Sequence, residues 1–204
     1  MSRALKRALD VALSGTGLLL SAPLWPVIAA AIKIDSPGPI FYGQSRVGEG
    51  GRHFNVLKFR SMIADAERGS GPLQAGVDDP RITRVGRVMR ATAMDELPQL
   101  WNIFRGDMSF VGPRALRPEE IEVDGRGGSV ALDAIPGFVE RCTVPPGLTG
   151  IAQIYAPRDV SRRQKFRFDL LYIQRQSLRL DICLILLSFW ITMRGTWEAR
   201  EKKF

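Results

Sequence analysis

Two adjacent carboxylates, Asp95 and Glu96, are the residues best suited to chemistry in this sequence. They precede a helix-like stretch, residues 96–105, and Pro98 indicates its start, because proline is tolerated only in the first helical turn. Asp95 is therefore predicted at or near the N-cap, where the helix dipole favours a carboxylate and a phosphate together. An ionised Asp95 could act as a nucleophile or a metal ligand, or it could simply cap the helix.

Glycine- and proline-rich loops further along the chain carry arginines suited to phosphate. Residues 106–114 combine glycines with Asp107 and end in Arg114, and residues 144–158 end in Arg158. A guanidinium can clamp a phosphate through two parallel hydrogen bonds. Each loop alone is a weak indicator of a site.

The composition excludes most histidine and cysteine chemistry. The chain has 204 residues and one histidine, His53, which lies in a strand-like stretch and is interpreted as structural. Cys142 and Cys183 are too few and too far apart for a metal knuckle or a disulfide framework, which favours a reducing compartment. Any chemistry must therefore use carboxylates, arginines, lysines or a metal ion.

The charge balance predicts an anionic partner. There are 29 Lys and Arg against 21 Asp and Glu, a net charge of +8, which suits nucleic acid, an acidic membrane face or a phosphorylated substrate. No nucleic-acid-binding motif is present, so nucleic acid is not expected as a partner. A hydrophobic content of 45% allows a packed core and excludes wholesale disorder.

An uncharged segment follows Asp10 and predicts contact with a membrane. Its 22 residues would extend about 33 Å as a helix, enough to cross a bilayer core. Pro23 and Pro26, beside Ser21, predict a kink in its middle. Because positive charge flanks both ends, a re-entrant helix over residues 1–34 is favoured, with a kinked single-pass anchor or a cleaved signal peptide as alternatives.

The rest of the chain, residues 35–204, is predicted to form one α+β domain that is mainly helical with a small β-hairpin. The hairpin strands are residues 40–47 and 53–59, and loops are expected at 67–80 and 125–128. Helical patterns cover residues 81–91, 96–105, 116–123 and 161–175.

Two stretches near the C-terminus are candidates for membrane contact. The apolar run 182–193 is too short for a span and predicts a buried or interfacial helix. Basic and aromatic residues alternate between Lys165 and Arg179, which fits either an anionic membrane surface or a solvated face over a soluble core.

Five blocks together resemble a known family. In order they are KFRSM (58–62), DDPRITRVGRVMR (78–90), DELPQLWNIFRGDMSFVGPR (95–114), PPGLTGIAQ (145–153) and the spacing Lys165, Asp169, Tyr172. They resemble the bacterial sugar transferases, which are monotopic phosphoglycosyl transferases. The resemblance runs from the apolar N-terminus to about Met193, and the length resembles the minimal catalytic form of the family.

The resemblance implies transfer of sugar 1-phosphate from a UDP-sugar to polyprenol (undecaprenyl) phosphate, with release of UMP. Asp95 is implied as the nucleophile that forms a phosphosugar-aspartyl intermediate. Glu96 is implied as its partner in a Mg²⁺ site or in proton handling. Phosphoryl transfer depends on positioning and charge neutralisation, which carboxylates, Mg²⁺ and arginines supply without histidine.

Further substrate-binding residues are implied at positions that match the family blocks. Arg90, Arg114 and Arg158 occupy basic positions suited to phosphates, and Lys58 and Asp169 are further candidates. Asp169 could equally be a helix-surface carboxylate paired with Lys165 at i,i+4.

The sequence departs from the family pattern at three places. Ala22 precedes Pro23 where serine is usual, Ala115 replaces a usual proline, and Ile151 replaces a usual aromatic residue. None of these changes removes an ionisable group, so catalysis is still expected.

The expected location is the cytoplasmic face of the bacterial plasma membrane, in contact with anionic lipids, because a water-soluble nucleotide sugar must meet a lipid phosphate at that interface. Two other functions stay open: a membrane-attached hydrolase of nucleotide-sugar diphosphates, and a non-catalytic basic adaptor. The intact block 95–114 favours catalysis. A homo-oligomer is compatible with the sequence.

Overall fold

The computed structural model describes residues 2–66, 79–118, 120–123, 129–157 and 160–194. The chain begins with helices α1 (Arg3–Ser21) and α2 (Leu24–Asp35), which meet at an angle of 61°. The predicted kink at Pro23 is confirmed, because Pro23 lies between the two helices. Pro26 falls in the first turn of α2, where a missing N–H is tolerated.

The hydroxyl of Ser21 compensates for the broken backbone at this bend. It donates to the carbonyl of Leu18 at 3.3 Å and accepts from the indole N–H of Trp25 at 3.1 Å, so it links the two helices. By length and composition, no single described helix could cross a bilayer, whereas α1 and α2 together could, as a broken or re-entrant pair. The bend is thus established, and its entry into a membrane stays a prediction.

The predicted hairpin is confirmed as strands β1 (Phe41–Val47) and β2 (His53–Phe59), which pair antiparallel from Phe41 opposite Phe59 to Val47 opposite His53. A 3-10 turn, Glu49–Gly51, connects them. Gly50 has a φ of 67°, a conformation that glycine adopts without steric cost.

Four strands of three residues each form two small sheets that the sequence did not predict. They are β3 (Ser109–Val111) parallel to β6 (Gly147–Thr149), and β4 (Ile121–Val123) antiparallel to β5 (Ser129–Ala131). Strands this short carry no detectable two-residue periodicity. The backbones of β3 and β6 come so close that a Cβ atom on Gly147 would overlap the backbone N of Gly112.

The remaining helices are α3 (Arg84–Ala91), α4 (Gln99–Arg105), α5 (Phe138–Arg141), α6 (Ile151–Tyr155), α7 (Arg162–Arg175) and α8 (Leu178–Met193). The helical patterns at 81–91, 96–105 and 161–175 are confirmed by α3, α4 and α7. The apolar run 182–193 lies within α8, as expected for a helix.

The helix predicted over residues 116–123 is wrong. Residues 121–123 form β4, and Leu116 is buried in a core cluster with Leu132, Ile135 and Phe166. Pro118 explains the failure, because a proline in a helix interior removes one hydrogen bond and clashes with the preceding turn.

The membrane-surface interpretation of the α7 aromatics is wrong for two of them. Phe166 and Tyr172 are each 1% exposed and belong to the core. Large apolar side chains are instead exposed on α8, namely Leu186, Phe189, Trp190 and Met193. Most of the loop predicted at 67–80, and residues 125–128, lie outside the described residues.

Polar side chains on the buried face of α1 fasten it to the rest of the molecule. Lys6 Nζ donates to Asp181 Oδ2 of α8 at 2.7 Å and to the Tyr172 hydroxyl at 3.1 Å. Asp10 Oδ1 accepts from Ser109 Oγ and the Phe110 N–H of β3, both at 3.0 Å. The first helix is therefore held against the strand that leads to Arg114.

Candidate active site

Asp95 lies in a 3-10 turn, Met94–Glu96, rather than at the helix N-cap. The N-cap of α4 is Pro98, so Asp95 lies three residues before it, near the N-cap as predicted but in a separate turn. Ala93 enters the turn with a φ of 54°, an uncommon left-handed conformation for a residue with a side chain. Asp95 is 7% exposed, so the turn holds a buried acidic residue.

Glu96 forms an ion pair with Lys58 of β2. The Lys58 Nζ lies 2.5 Å from Glu96 Oε1. Burial raises the pKa of Glu96, but the charge and hydrogen bond of Lys58 and the charge of Arg114 outweigh it and hold the pKa below its ordinary value. Glu96 is therefore ionised at neutral pH.

Asn102 sets the distance between α4 and the strand that carries Lys58. Its Oδ1 accepts from the Leu57 N–H at 3.0 Å, and its Nδ2 donates to the Asn55 carbonyl at 2.8 Å. The same Nδ2 donates to Asp107 Oδ2 at 3.2 Å, which gives Asp107 a structural contact. The buried amide of Asn102 therefore forms the same kind of hydrogen bonds to the backbone of β2 as a neighbouring strand would.

Two other arginines hold the backbone around Arg114, while its own side chain is exposed. Arg141 Nη2 donates to the carbonyl of Arg114 at 2.6 Å. Arg46 Nη1 of β1 donates to the next carbonyl, that of Ala115, at 3.1 Å. Fixing two consecutive peptides restricts where the Arg114 guanidinium can reach.

Arg141 is in turn held by Asp169 of α7. Arg141 Nε lies 2.9 Å from Asp169 Oδ2, and each side chain is about 3–4% exposed. Burial raises the pKa of Asp169 more than the charge of Arg141 lowers it, so this pair is costly to bury. The helix-surface alternative for Asp169 is therefore wrong, and Asp169 acts through Arg141 on the backbone of Arg114.

Positive charge is concentrated around Arg114. Burial, followed by the charges of Arg114 and Arg117, lowers the pKa of Arg46 to about 10. Burial and the charge of Arg114 also lower the pKa of Arg162, at the start of α7. Guanidinium groups that repel one another in this way favour a bound phosphate or diphosphate.

The structure brings together only some of the predicted site residues. Lys58, Glu96 and Arg114 share one region, beside Asp95. Arg90 lies in the last turn of α3, four residues before the turn Met94–Glu96, and its carbonyl accepts from the Ala93 N–H at 3.4 Å. Arg158 lies outside the described residues.

Sequence reasoning missed Arg46, Arg141 and Asn102. Arg46 occupies a position inside a predicted strand, and Arg141 follows an apolar stretch, which are places where an unpaired charge is unexpected. That signal could have marked both arginines. No local pattern marks Asn102.

A comparison with known protein families decides the relationship. The profile of the bacterial sugar transferases matches residues 1–195. The chain belongs to this family. Its relatives include an undecaprenyl-phosphate glucose phosphotransferase of Komagataeibacter xylinus, 44% identical over 90% of this chain. Another is a UDP-glucose:undecaprenyl-phosphate glucose-1-phosphate transferase of Caulobacter vibrioides, 42% identical over 89% of this chain.

This chain covers very different shares of the lengths of its relatives. It spans 35% of the Komagataeibacter protein and 67% of the Caulobacter protein. It also matches an exopolysaccharide production protein of Rhizobium leguminosarum bv. phaseoli, 39% identical over 91% of this chain and 93% of the relative. Each of the three matches covers about nine tenths of this chain.

A Mg²⁺ site at Asp95 and Glu96 would need further oxygen ligands from a bound substrate. Among the residues that the structure describes, no group of three or more His, Cys, Asp or Glu could hold a metal. Mg²⁺ commonly takes one or two carboxylates and completes its shell with water and substrate phosphates. Asp95 and Glu96 supply that number of carboxylates, so the pair fits Mg²⁺ when a diphosphate is bound.

Beside the carboxylate pair, the sugar transferase has a cavity of about 120 Å³. Glu96 and Ala93 form one part of its lining, and Leu97, Leu100 and Leu148 another. Two hydroxyl side chains of α8, those of Ser188 and Thr192, complete it.

Proposed function

We propose that this sugar transferase moves sugar 1-phosphate from a UDP-sugar to polyprenol phosphate of the undecaprenyl class and releases UMP. The observation that carries the proposal is the Lys58–Glu96 ion pair next to buried Asp95, within the field of Arg114. The Komagataeibacter and Caulobacter relatives, both named as glucose phosphate transferases that act with undecaprenyl phosphate, support it.

In the first step, a carboxylate oxygen of Asp95 attacks the β-phosphorus of the UDP-sugar. A new P–O bond to Asp95 forms, and the bond from that phosphorus to the oxygen bridging the two phosphates breaks. UMP leaves with that oxygen and its electron pair. Arg114, whose backbone Arg141 and Arg46 hold, would neutralise the charge of the phosphates.

In the second step, a phosphate oxygen of polyprenol phosphate attacks the phosphorus bound to Asp95. The Asp95–phosphorus bond breaks, the carboxylate is restored, and the product is polyprenol diphosphate sugar. Glu96 stays ionised throughout because Lys58 and Arg114 stabilise its charge. Mg²⁺ held by Asp95 and Glu96 would neutralise further phosphate charge.

The location we propose is the cytoplasmic face of the bacterial plasma membrane. The bent pair α1 and α2 would enter the lipid and return to the same face, and the net charge of +8 would favour anionic lipids. Exposed apolar side chains on both helices support contact with lipid, with Leu19 at 79% and Ile34 at 87% exposure.

The test begins with a panel of UDP-sugars, Mg²⁺ and polyprenol phosphate, with UMP release as the readout. Without the lipid, the wild-type protein should release at most one UMP per active site and carry one phosphosugar on a peptide containing Asp95. Continued UMP release without lipid would instead identify a hydrolase.

Asp95→Asn keeps the shape of the side chain and removes the nucleophilic charge. UMP release and lipid product should both fall by several orders of magnitude. Asp133→Asn is the matched control, because Asp133 also lies in a 3-10 turn, Leu132–Ala134, but is exposed. Normal turnover in Asp95→Asn, or a phosphosugar on Glu96, would contradict the assignment.

A further inference from the structure

The lining of the cavity beside Glu96 combines one charged residue with apolar ones. Glu96 is the charged residue, and Lys58 is its ion-pair partner. Leu97, Leu100 and Leu148 line the rest, and only the hydroxyls of Ser188 and Thr192 interrupt this apolar surface. An apolar pocket that begins at a phosphate-handling residue suits a ligand with a phosphate on one end and hydrocarbon on the other.

The cavity also adjoins the elements with the most exposed apolar surface. Ser188 and Thr192 lie one helical turn apart on the inner face of α8, whose outer face exposes Phe189 (65%) and Met193 (72%). On the other side, Leu100 packs against α1, since a Cβ atom on Gly17 would lie 3.0 Å from Leu100 Cδ1. A hydrocarbon chain that leaves the cavity would thus meet apolar surface.

The lining of the cavity favours a hydrocarbon over the sugar as the occupant. At about 120 Å³, the cavity is below the ~300 Å³ at which pockets enclose a whole drug-sized ligand. A hexose carries several hydroxyl groups that each need a partner when buried, and the three leucines leave only Glu96, Ser188 and Thr192 to provide one. A short branched hydrocarbon needs no such partners.

We propose that this cavity binds the isoprenoid unit nearest the phosphate of the acceptor lipid. The proposal rests on the function proposed above, because polyprenol phosphate is the substrate that joins phosphate directly to hydrocarbon. Binding this unit beside Glu96 holds the lipid phosphate at the site where the phosphosugar on Asp95 must be attacked.

Variants that fill the cavity test the assignment. Ser188→Phe and Thr192→Phe place a ring in the space, and Ile121→Phe adds a ring at an exposed position of β4 as the control. The KM for polyprenol phosphate should rise about tenfold or more in the two cavity variants and stay unchanged in the control. UMP release in a single turnover without lipid does not use the acceptor, so it should fall by less than the KM for polyprenol phosphate rises.

Thr192→Val separates shape from polarity, because valine has nearly the same shape as threonine and lacks the hydroxyl. Its KM for polyprenol phosphate should equal or fall below the wild-type value. An unchanged KM in both phenylalanine variants, or a KM raised in Thr192→Val as much as in Thr192→Phe, would overturn the proposal.

A second measurement uses the wild-type protein and so does not depend on how the variants fold. Polyprenol phosphate with a diazirine on the isoprenoid unit nearest the phosphate is photolysed, and the labelled peptides are identified by mass spectrometry. Label should appear on residues 93–100, around Leu148 or on 188–192. Label confined to other segments overturns the cavity assignment, whereas absence of UMP release with any UDP-sugar contradicts the proposed function itself.

Discussion

At the scale of single residues, the state of Glu96 depends on Lys58. Because folding lowers the pKa of Glu96, the ion pair stabilises the protein at pH values above the ordinary pKa of 4.5. This contribution is lost as the pH falls through the lowered pKa of the folded state. The same ionisation is needed if Glu96 contributes to a Mg²⁺ site.

Lys58→Gln should therefore change the pH dependence of the reaction. Without the lysine charge, burial raises the pKa of Glu96, so the acid limb of the UMP-release profile should move to higher pH. Lys33→Gln is the control, because Lys33 is exposed and donates only to the carbonyl of Gly38 in the described contacts. An acid limb at the wild-type position in Lys58→Gln would show that Glu96 ionisation does not limit the reaction.

The Arg141–Asp169 pair is predicted to serve position more than stability. In the double variant Arg141→Met with Asp169→Leu, apolar side chains replace both charges, so the free energy of unfolding should be unchanged or higher by about 1–4 kcal/mol. The value of kcat/KM for UDP-sugar should fall, because the carbonyl of Arg114 loses its donor. The single variant Arg141→Met should cost about 3–5 kcal/mol, since it leaves Asp169 buried without its cation.

Denaturant unfolding and steady-state kinetics on the same samples separate these two effects. A double variant that is stable and keeps wild-type kinetics would show that Asp169 and Arg141 do not position Arg114. A double variant as unstable as the single one would show that the pair is needed for folding.

At the scale of elements, the parallel pair β3 and β6 carries the loop that ends in Arg114. Its two strands are so close that only glycine fits at position 147. The N–H of Gly147 also donates to the carbonyl of Pro113 at 2.8 Å, one residue before Arg114. This small sheet therefore fixes the position of the backbone that leads to Arg114.

Gly147→Ala should force β3 and β6 apart. We expect a loss of about 1–3 kcal/mol in the free energy of unfolding, together with lower activity, because the added methyl group overlaps the backbone of Gly112. Gly43→Ala in β1 is the control, since a Cβ atom there meets nothing within 4 Å, and it should change stability by less than about 0.5 kcal/mol. Equal effects of the two variants in thermal or denaturant unfolding would contradict the argument.

At the scale of the whole molecule, apolar surface and positive charge lie on the same protein. The bend of α1 and α2 packs Trp25 against Phe59, with ring centroids 5.3 Å apart, next to Lys58 in β2. The element proposed to contact lipid is thus in direct contact with the strand that carries Lys58, the partner of Glu96.

A re-entrant arrangement predicts that both ends of the bent pair face the same side of the membrane. Cysteines introduced at Ser2 and Pro39, in a protein whose Cys142 and Cys183 are replaced by serine, should react with an impermeant thiol reagent from the cytoplasmic side only. Both positions are exposed and flank the helices. Labelling from opposite sides would contradict the re-entrant arrangement and indicate a single-pass anchor.

The sequence by itself determined the features that depend on neighbouring residues. The Asp95–Glu96 pair, the kink at Pro23 and the hairpin of β1 and β2 each follow from residue types within a short stretch. Proline geometry and the alternation of side chains on a strand act locally, so they can be read without the fold. The ordered blocks also indicated the family.

Only the tertiary structure decided which distant residues meet. Lys58 pairs with Glu96, Arg141 pairs with Asp169, and Asn102 hydrogen-bonds to the edge of β2. In each case the partners are far apart in the sequence. From the sequence, Asp169 was predicted either to bind a substrate phosphate site or to lie on a helix surface. The structure buries it, because α7 packs against α5 and pairs Asp169 with Arg141. Burial and long-range pairing depend on how elements pack, and no local spacing encodes that packing.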